Sequence, residues 1–198
     1  MIKLIGFYDY TVILTYLSLI SAVLGIVSAS QGRFTAAVLC LVLSGICDAF
    51  DGMVARTKKN RTEDEKAFGI QIDSLCDAVA FGIAPAMLCY HMGMNGPLGV
   101  AILCTYSLCG VIRLAFFNVL EGKRQQTEGG SNKTYRGLPI TTSSMILPLV
   151  YLMGLFLPAR IFRVLLHLVM AVTAFLFVLD FSEEARLGKT ALRSKMSY

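Results

Sequence analysis

Charged residues are scarce in this chain of 198 residues, at 16% against about 25% in ordinary soluble domains. Hydrophobic residues make up 56%, and the mean hydropathy is +0.66. These values exclude a water-soluble globular domain. The six cysteines contain no Cys-x-x-Cys pair, so neither a disulfide framework nor a zinc site is predicted. The net charge of +5 is modest, and we attribute it to membrane topology rather than to nucleic-acid binding.

Six runs of the chain carry almost no charge, and most are long enough to cross a bilayer as helices, which takes about 20 residues. These runs are 10–29, 34–54, 68–90, 98–120, 138–157 and 164–181. No internal repeat or linker separates them. We therefore predict an all-α integral membrane protein with six transmembrane helices, folded as one domain over residues 1–198.

The lysines and arginines between these runs indicate the orientation of the chain. Fourteen of them fall in one set of alternating loops and three in the other, with Arg113 left inside a span. Because cytoplasmic loops carry the excess of positive charge, both termini are predicted to be cytoplasmic. The polar loops 57–66 and 121–137 then lie on the same side. The chain shows no organelle address, which favours the plasma membrane of a microbe.

Four aspartates lie inside the second and third predicted spans, in the halves nearer the cytoplasm: Asp48, Asp51, Asp73 and Asp77. An aspartate at a helix centre costs roughly 2.5 to 3.5 kcal/mol on insertion, and less near the ends. Within each pair the spacing of three or four residues places both side chains on one helix face. The same faces otherwise carry glycine and alanine, which allow close approach or room for a ligand.

Hard oxygen donors without histidine or thiolate partners suit Mg²⁺, Mn²⁺ or Ca²⁺ better than zinc or copper. A divalent-cation site is therefore predicted. From the residues alone two other interpretations stay open. The aspartates could form structural ion pairs with Arg56, Arg113 and the loop lysines, or they could be the ion site of a small divalent-cation transporter.

Eight residues of these two spans resemble the signature of the CDP-alcohol phosphotransferase family. They read Asp48-x2-Asp51-Gly52-x2-Ala55-Arg56 and then Gly69-x3-Asp73-x3-Asp77. The spacer of twelve residues before Gly69 is longer than is usual in the family, but it falls in a polar loop, where insertions are tolerated. Residues 68–86, 113–118 and 135–139 are similar to the phosphatidylserine synthase branch of the family.

The resemblance implies six transmembrane helices, a homodimer and two bound divalent cations, Mg²⁺ or Mn²⁺, at the cytoplasmic membrane surface. It makes the four aspartates the metal ligands and Asp77 also the general base. Gly52, Ala55 and Gly69 would leave space for the nucleotide, and Arg56 would lie near its phosphates. The implied reaction transfers the phosphatidyl group of CDP-diacylglycerol to the hydroxyl of L-serine and yields phosphatidylserine and CMP.

A serine acceptor carries a carboxylate, which needs a cation in its binding site. Arg113 is the first candidate because it is a lone arginine in a span. Lys133 and Arg136 could reach the acceptor from the loop, although positive charge there also fits topology alone. Arg113 could equally pair with an aspartate of the signature. Glycerol 3-phosphate or inositol phosphate remains an alternative acceptor, which would require a denser basic cluster.

A phosphohistidine mechanism for making the same lipid is excluded. The chain has two histidines, His91 and His167, and neither is followed by the pattern H-x-K-x4-D.

Overall fold

The computed structural model describes residues 6–7, 10–55, 57–58, 62–126 and 138–180, without the side chains of residues 121 and 123–126. All regular structure in these ranges is helical. The elements in chain order are a 3-10 turn (Tyr10–Val12), α1 (Ile13–Ser30), α2 (Phe34–Ala55), α3 (Glu63–Asp77), a π-helical turn (Ala78–Ile83), α4 (Ala84–His91), α5 (Pro97–Gln126), a second 3-10 turn (Ile140–Thr142), α6 (Ser143–Gly154) and α7 (Ala159–Val178).

Each of the six predicted spans corresponds to a helical segment. Within the described ranges, five segments are long and apolar enough to cross a membrane: Tyr10–Ser30, Phe34–Ala55, Glu63–His91, Pro97–Leu120 and Ala159–Val178. The remaining segment, Ile140–Gly154, which corresponds to the fifth predicted span, is shorter. At 1.5 Å per residue it is about 22 Å long, less than the roughly 30 Å of a bilayer core. The all-α multi-pass membrane fold is confirmed, whereas the orientation of the termini stays a prediction.

Helix α3 begins earlier than the apolar pattern predicts. The side chain of Thr62 accepts a hydrogen bond from the backbone N–H of Glu65 at 3.2 Å, and the Glu65 carboxylate accepts one from the Thr62 N–H at 2.9 Å. This reciprocal capping box satisfies two free N–H donors at the start of the helix. The acidic residues of the first turn also interact favourably with the positive end of the helix dipole. The prediction of a loop over 57–66 is therefore wrong for Glu63–Lys66.

Helices α1 and α2 are joined by hydrogen bonds between small polar side chains. The hydroxyls of Ser18 and Ser44 lie 2.7 Å apart, and Ser44 also donates to the carbonyl of Ser18 at 3.0 Å. One turn further along α1, Ser21 donates to the carbonyl of Cys40 at 2.8 Å. These bonds join buried groups in antiparallel order, so they set the register of α1 against α2.

The π-helical turn directly follows Asp77 and is held by hydroxyl groups from two other elements. Tyr106 of α5 is fully buried and donates to the carbonyl of Phe81 at 2.7 Å. Ser107 donates to the carbonyl of Gly82 at 3.1 Å, and Ser143 approaches the Phe81 carbonyl at 3.4 Å. The wider turn changes the direction in which side chains point on its two sides, and such turns are frequent at functional sites. These bonds therefore fix α4 relative to Asp77.

We predict that Tyr106→Phe lowers the apparent melting temperature of the protein in detergent. The substitution keeps the ring but removes the shorter of the two side-chain hydrogen bonds to the Phe81 carbonyl. This loss should lower the free energy of unfolding by about 1 to 3 kcal/mol. Thr105→Ala is the matched control, because that exposed hydroxyl bonds to a carbonyl of its own helix. Equal melting temperatures for Tyr106→Phe and the wild type would show that the tyrosine hydroxyl does not hold the turn.

Candidate metal centre

The last turns of α2 and α3 bring the carboxylates of the signature together. One oxygen from each of Asp48, Asp73 and Asp77 lies within 4.8 Å of the other two. Asp77 is buried, with 8% of its surface exposed, and the other two are half-buried. Three carboxylates from two helices thus face one small volume, as the spacing predicts.

Asp51 lies beside this cluster and has a partner in a third helix. The hydroxyl of Thr15 in α1 donates to Oδ2 of Asp51 at 3.1 Å. The Asp51 carboxyl group also interacts electrostatically with Asp48 and Asp73, and that of Asp48 with Asp77. All four aspartates of the signature are therefore neighbours.

The donor set fits a divalent cation. Oδ1 of Asp73 is buried and has no hydrogen-bond partner among the described residues. The ion pairs in this part of the chain are Lys58 with Glu65 and Lys66 with Glu63, near the start of α3, and neither includes an aspartate of the signature. Carboxylates this close repel one another unless a cation or a proton compensates them, and oxygen-only ligands suit Mg²⁺ or Mn²⁺. The structural ion-pair interpretation has no support among the described contacts.

Two glycines on α2 have opposite surroundings. A methyl group added at Gly52 would meet no described atom within 4 Å. One added at Gly45 would overlap the side chain of Ser144 in α6. Gly45 therefore serves helix packing, whereas the space beside Gly52 is open. Ala55 and Gly69, the other small residues predicted at the nucleotide, are half-buried on α2 and α3.

Arg113 of α5 contacts residues outside the aspartate cluster. Its Nε donates to the carbonyl of Leu138 at 3.3 Å, and Asp180 is close enough to interact with it electrostatically. In the described ranges it forms no ion pair with the four aspartates. Arg113 thus links α5 to the start of the fifth predicted span and to the residues that follow α7. Arg56, Lys133 and Arg136 lie outside the described residues.

Three polar residues near the aspartates were not predicted from the sequence. Ser74, between Asp73 and Asp77, donates to Oδ1 of Asn118 in α5 at 2.8 Å. Thr15 reaches Asp51 from α1. The regular recurrence of hydroxyls at Thr15, Ser18 and Ser21 in an otherwise apolar span was a signal that could have indicated an interhelical face.

A family model, CDP-alcohol phosphatidyltransferase, matches residues 10–179, which includes every described helix. The chain belongs to this family. The predicted resemblance is thereby confirmed, and Asp48, Asp51, Asp73 and Asp77 are the aspartates on which it rested. No solved structure matches the chain.

Relatives of this chain include archaeal and bacterial proteins. An archaetidylserine synthase of Methanothermobacter thermautotrophicus is 35% identical over 162 residues, covering 78% of this chain and 62% of the relative. A CDP-diacylglycerol–serine O-phosphatidyltransferase of Helicobacter pylori is 33% identical over 148 residues, covering 74% and 58%. One of Bacillus subtilis is 37% identical over 130 residues, covering 65% and 67%. The chain spans about three fifths of the length of the first two relatives.

We predict that Mn²⁺ raises the apparent melting temperature of the wild type and has a smaller effect on Asp73→Asn. A cation that binds the folded state adds about 2.7 kcal/mol of stability at 100 times its dissociation constant. In EDTA the variant should melt no lower than the wild type, since it loses one of several mutually repelling charges.

Asp64→Asn is the control for this experiment, because Asp64 is an exposed acidic residue in the first turn of α3. It should respond to Mn²⁺ as the wild type does. An equal Mn²⁺ effect on Asp73→Asn and the wild type would place cation binding elsewhere.

Proposed function

We propose that this protein transfers the phosphatidyl group of CDP-diacylglycerol to the hydroxyl of L-serine, giving phosphatidylserine and CMP, with two divalent cations as cofactors. The observation that carries the proposal is the convergence of Asp48, Asp73 and Asp77, three carboxylates of the family signature, on one volume between α2 and α3. The buried, unpartnered Oδ1 of Asp73 supports a cation there.

The serine acceptor is supported by the relatives. The bacterial relatives from Helicobacter pylori and Bacillus subtilis are named for transfer from CDP-diacylglycerol to serine, and the archaeal one for archaetidylserine. A relative of Saccharomyces cerevisiae carries the same serine transferase name and is 39% identical over 113 residues, which cover 56% of this chain and 40% of the relative. A shared acceptor with different lipids favours serine as the constant substrate.

In this mechanism Asp48, Asp51, Asp73 and Asp77 hold the cations. When bound, Mg²⁺ or Mn²⁺ neutralises charge on the pyrophosphate oxygens and on the departing CMP. Asp77 accepts the proton of the serine hydroxyl, because a neutral hydroxyl is a weak nucleophile. The serine oxygen forms a bond to the lipid-bearing phosphorus, the bond from that phosphorus to CMP breaks, and CMP leaves with the electron pair. Asp77 is well suited to hold this proton away from bulk water, since it is the most buried of the four.

The substrates are assigned to the residues around the aspartates. We place the nucleotide beside Gly52, Ala55 and Gly69, with Arg56 near its phosphates. Arg113, Lys133 and Arg136 are the proposed contacts of the serine carboxylate. Arg113 can serve through its terminal nitrogens, because the Leu138 carbonyl occupies Nε. A homodimer and an active site at the cytoplasmic face of the plasma membrane belong to the same proposal.

We predict that the purified protein releases CMP from CDP-diacylglycerol when both Mn²⁺ and serine are present. Asp77→Asn should lower kcat by about 10²- to 10⁴-fold, the usual contribution of a general base. Radiolabelled nucleotide, separated by chromatography, measures the release. Ser74→Ala is the matched control on the same helix: it removes a hydroxyl next to the carboxylates but no charge.

The choice of acceptor distinguishes the remaining alternatives. CMP release with glycerol 3-phosphate or inositol phosphate in place of serine would retain the transferase and reject the serine acceptor. Metal flux in proteoliposomes without CMP release from any acceptor would reject the transferase in favour of cation transport.

We predict that Gly52→Ala lowers kcat/KM for CDP-diacylglycerol tenfold or more, equivalent to about 1.4 kcal/mol, without lowering the melting temperature. Alanine is favoured over glycine in a helix, and the added methyl meets no described atom, so the loss would come from the nucleotide. Gly45→Ala is the contrasting variant: its methyl overlaps Ser144 and should lower the melting temperature. Full activity of Gly52→Ala would remove the nucleotide from this face of α2.

A further inference from the structure

Thr15 makes an unusual contact for a threonine inside an apolar helix. It is 5% exposed, and its hydroxyl donates to Oδ2 of Asp51 in α2 at 3.1 Å. Hydroxyls in helices ordinarily bond to a carbonyl one turn back in their own helix, as those of Thr105 and Ser28 do in this chain. The Thr15 hydroxyl is instead directed across a helix interface to a carboxylate.

The register between α1 and α2 explains this contact. The bonds of Ser21 to Cys40 and of Ser18 to Ser44 run in order toward the aspartate end of α2. One turn before Ser18, the same face of α1 presents Thr15, and its hydroxyl meets Asp51, which lies two turns beyond Ser44 in α2. Thr15 therefore belongs to the same buried face as the two serines, but it meets a carboxylate instead of a backbone carbonyl or a hydroxyl.

Asp51 differs from the other three aspartates in its surroundings. Asp48, Asp73 and Asp77 form the tight group, and Asp51 lies outside it. The hydrogen bond from Thr15 to Oδ2 restricts the orientation of the Asp51 carboxylate. Groups that hydrogen-bond to metal-ligating side chains orient them in this way, and their loss commonly weakens metal binding about 10- to 100-fold.

We propose that Thr15, a residue of the first span and outside the family signature, is a positioning residue that orients Asp51 for cation binding. The inference rests on the proposed function only in taking Asp51 as a metal ligand. It concerns metal binding, which can be measured without either substrate.

The test compares Mn²⁺ binding by the wild type, Thr15→Val and Thr15→Ser, from the electron paramagnetic resonance signal of free Mn²⁺ in detergent. Valine has the shape of threonine without the hydroxyl, so the Mn²⁺ dissociation constant should rise about 10- to 100-fold. Serine keeps the hydroxyl and should restore binding close to that of the wild type. Ser21→Ala, which removes a hydrogen bond from the same face but touches no carboxylate, should leave the dissociation constant unchanged.

A double-mutant cycle shows whether Thr15 acts through Asp51. In an Asp51→Asn background, Thr15→Val should cause no further loss of Mn²⁺ affinity. Wild-type affinity in Thr15→Val, or an equal loss in Ser21→Ala, would overturn the proposal. Thr15→Ala replaces the valine variant if the latter does not fold, and failure of both to fold while Ser21→Ala folds would assign the hydroxyl to folding instead.

The outcome is separable from that of the catalytic assay. If Mn²⁺ binding depends on the Thr15 hydroxyl but no CMP is released with serine, the positioning role stands and the proposed reaction fails. If CMP release requires serine and Mn²⁺ while the dissociation constant is insensitive to Thr15, the reaction stands and the positioning role fails.

Discussion

Repulsion among carboxylates inside a low-dielectric helix bundle is the constraint on which the site depends. Four aspartates at the ends of α2 and α3 are costly to insert and more costly to bring together, yet three of them face one volume. No described lysine or arginine pairs with them. Binding a cation would relieve the repulsion among these carboxylates. The same carboxylates that destabilise the protein in the absence of a cation are therefore suited to be its ligands.

The surrounding fold holds these carboxylates in place. The serine contacts between α1 and α2 set a register, the capping box of Thr62 and Glu65 starts α3 outside the span, and Tyr106 holds the turn after Asp77. Each of these contacts satisfies backbone or hydroxyl groups by hydrogen bonds within the protein. The aspartates are therefore carried on elements whose relative positions are set by polar contacts as well as by apolar packing.

Hydropathy and spacing predicted much of this arrangement. Apolar runs predict membrane helices because backbone groups in lipid must form their hydrogen bonds within the protein. The spacing of Asp48 and Asp51, and of Asp73 and Asp77, predicts that each pair shares a helix face. The start of α3 at Glu63 was missed because capping is a local signal that hydropathy does not weigh. Hydrophobic periodicity gives no information on how the helices contact one another. It therefore could not predict the π-helical turn, the contact of Thr15 with Asp51 or the hydrogen bond of Arg113 to Leu138.

The most direct test of the account is an experimental structure of the protein with Mn²⁺, using anomalous scattering to locate the ions. The account predicts anomalous peaks between α2 and α3, within coordination distance of the carboxylates of Asp48, Asp73 and Asp77. A catalytically active sample whose peaks lie away from these residues, or that shows none between the two helices, would contradict it.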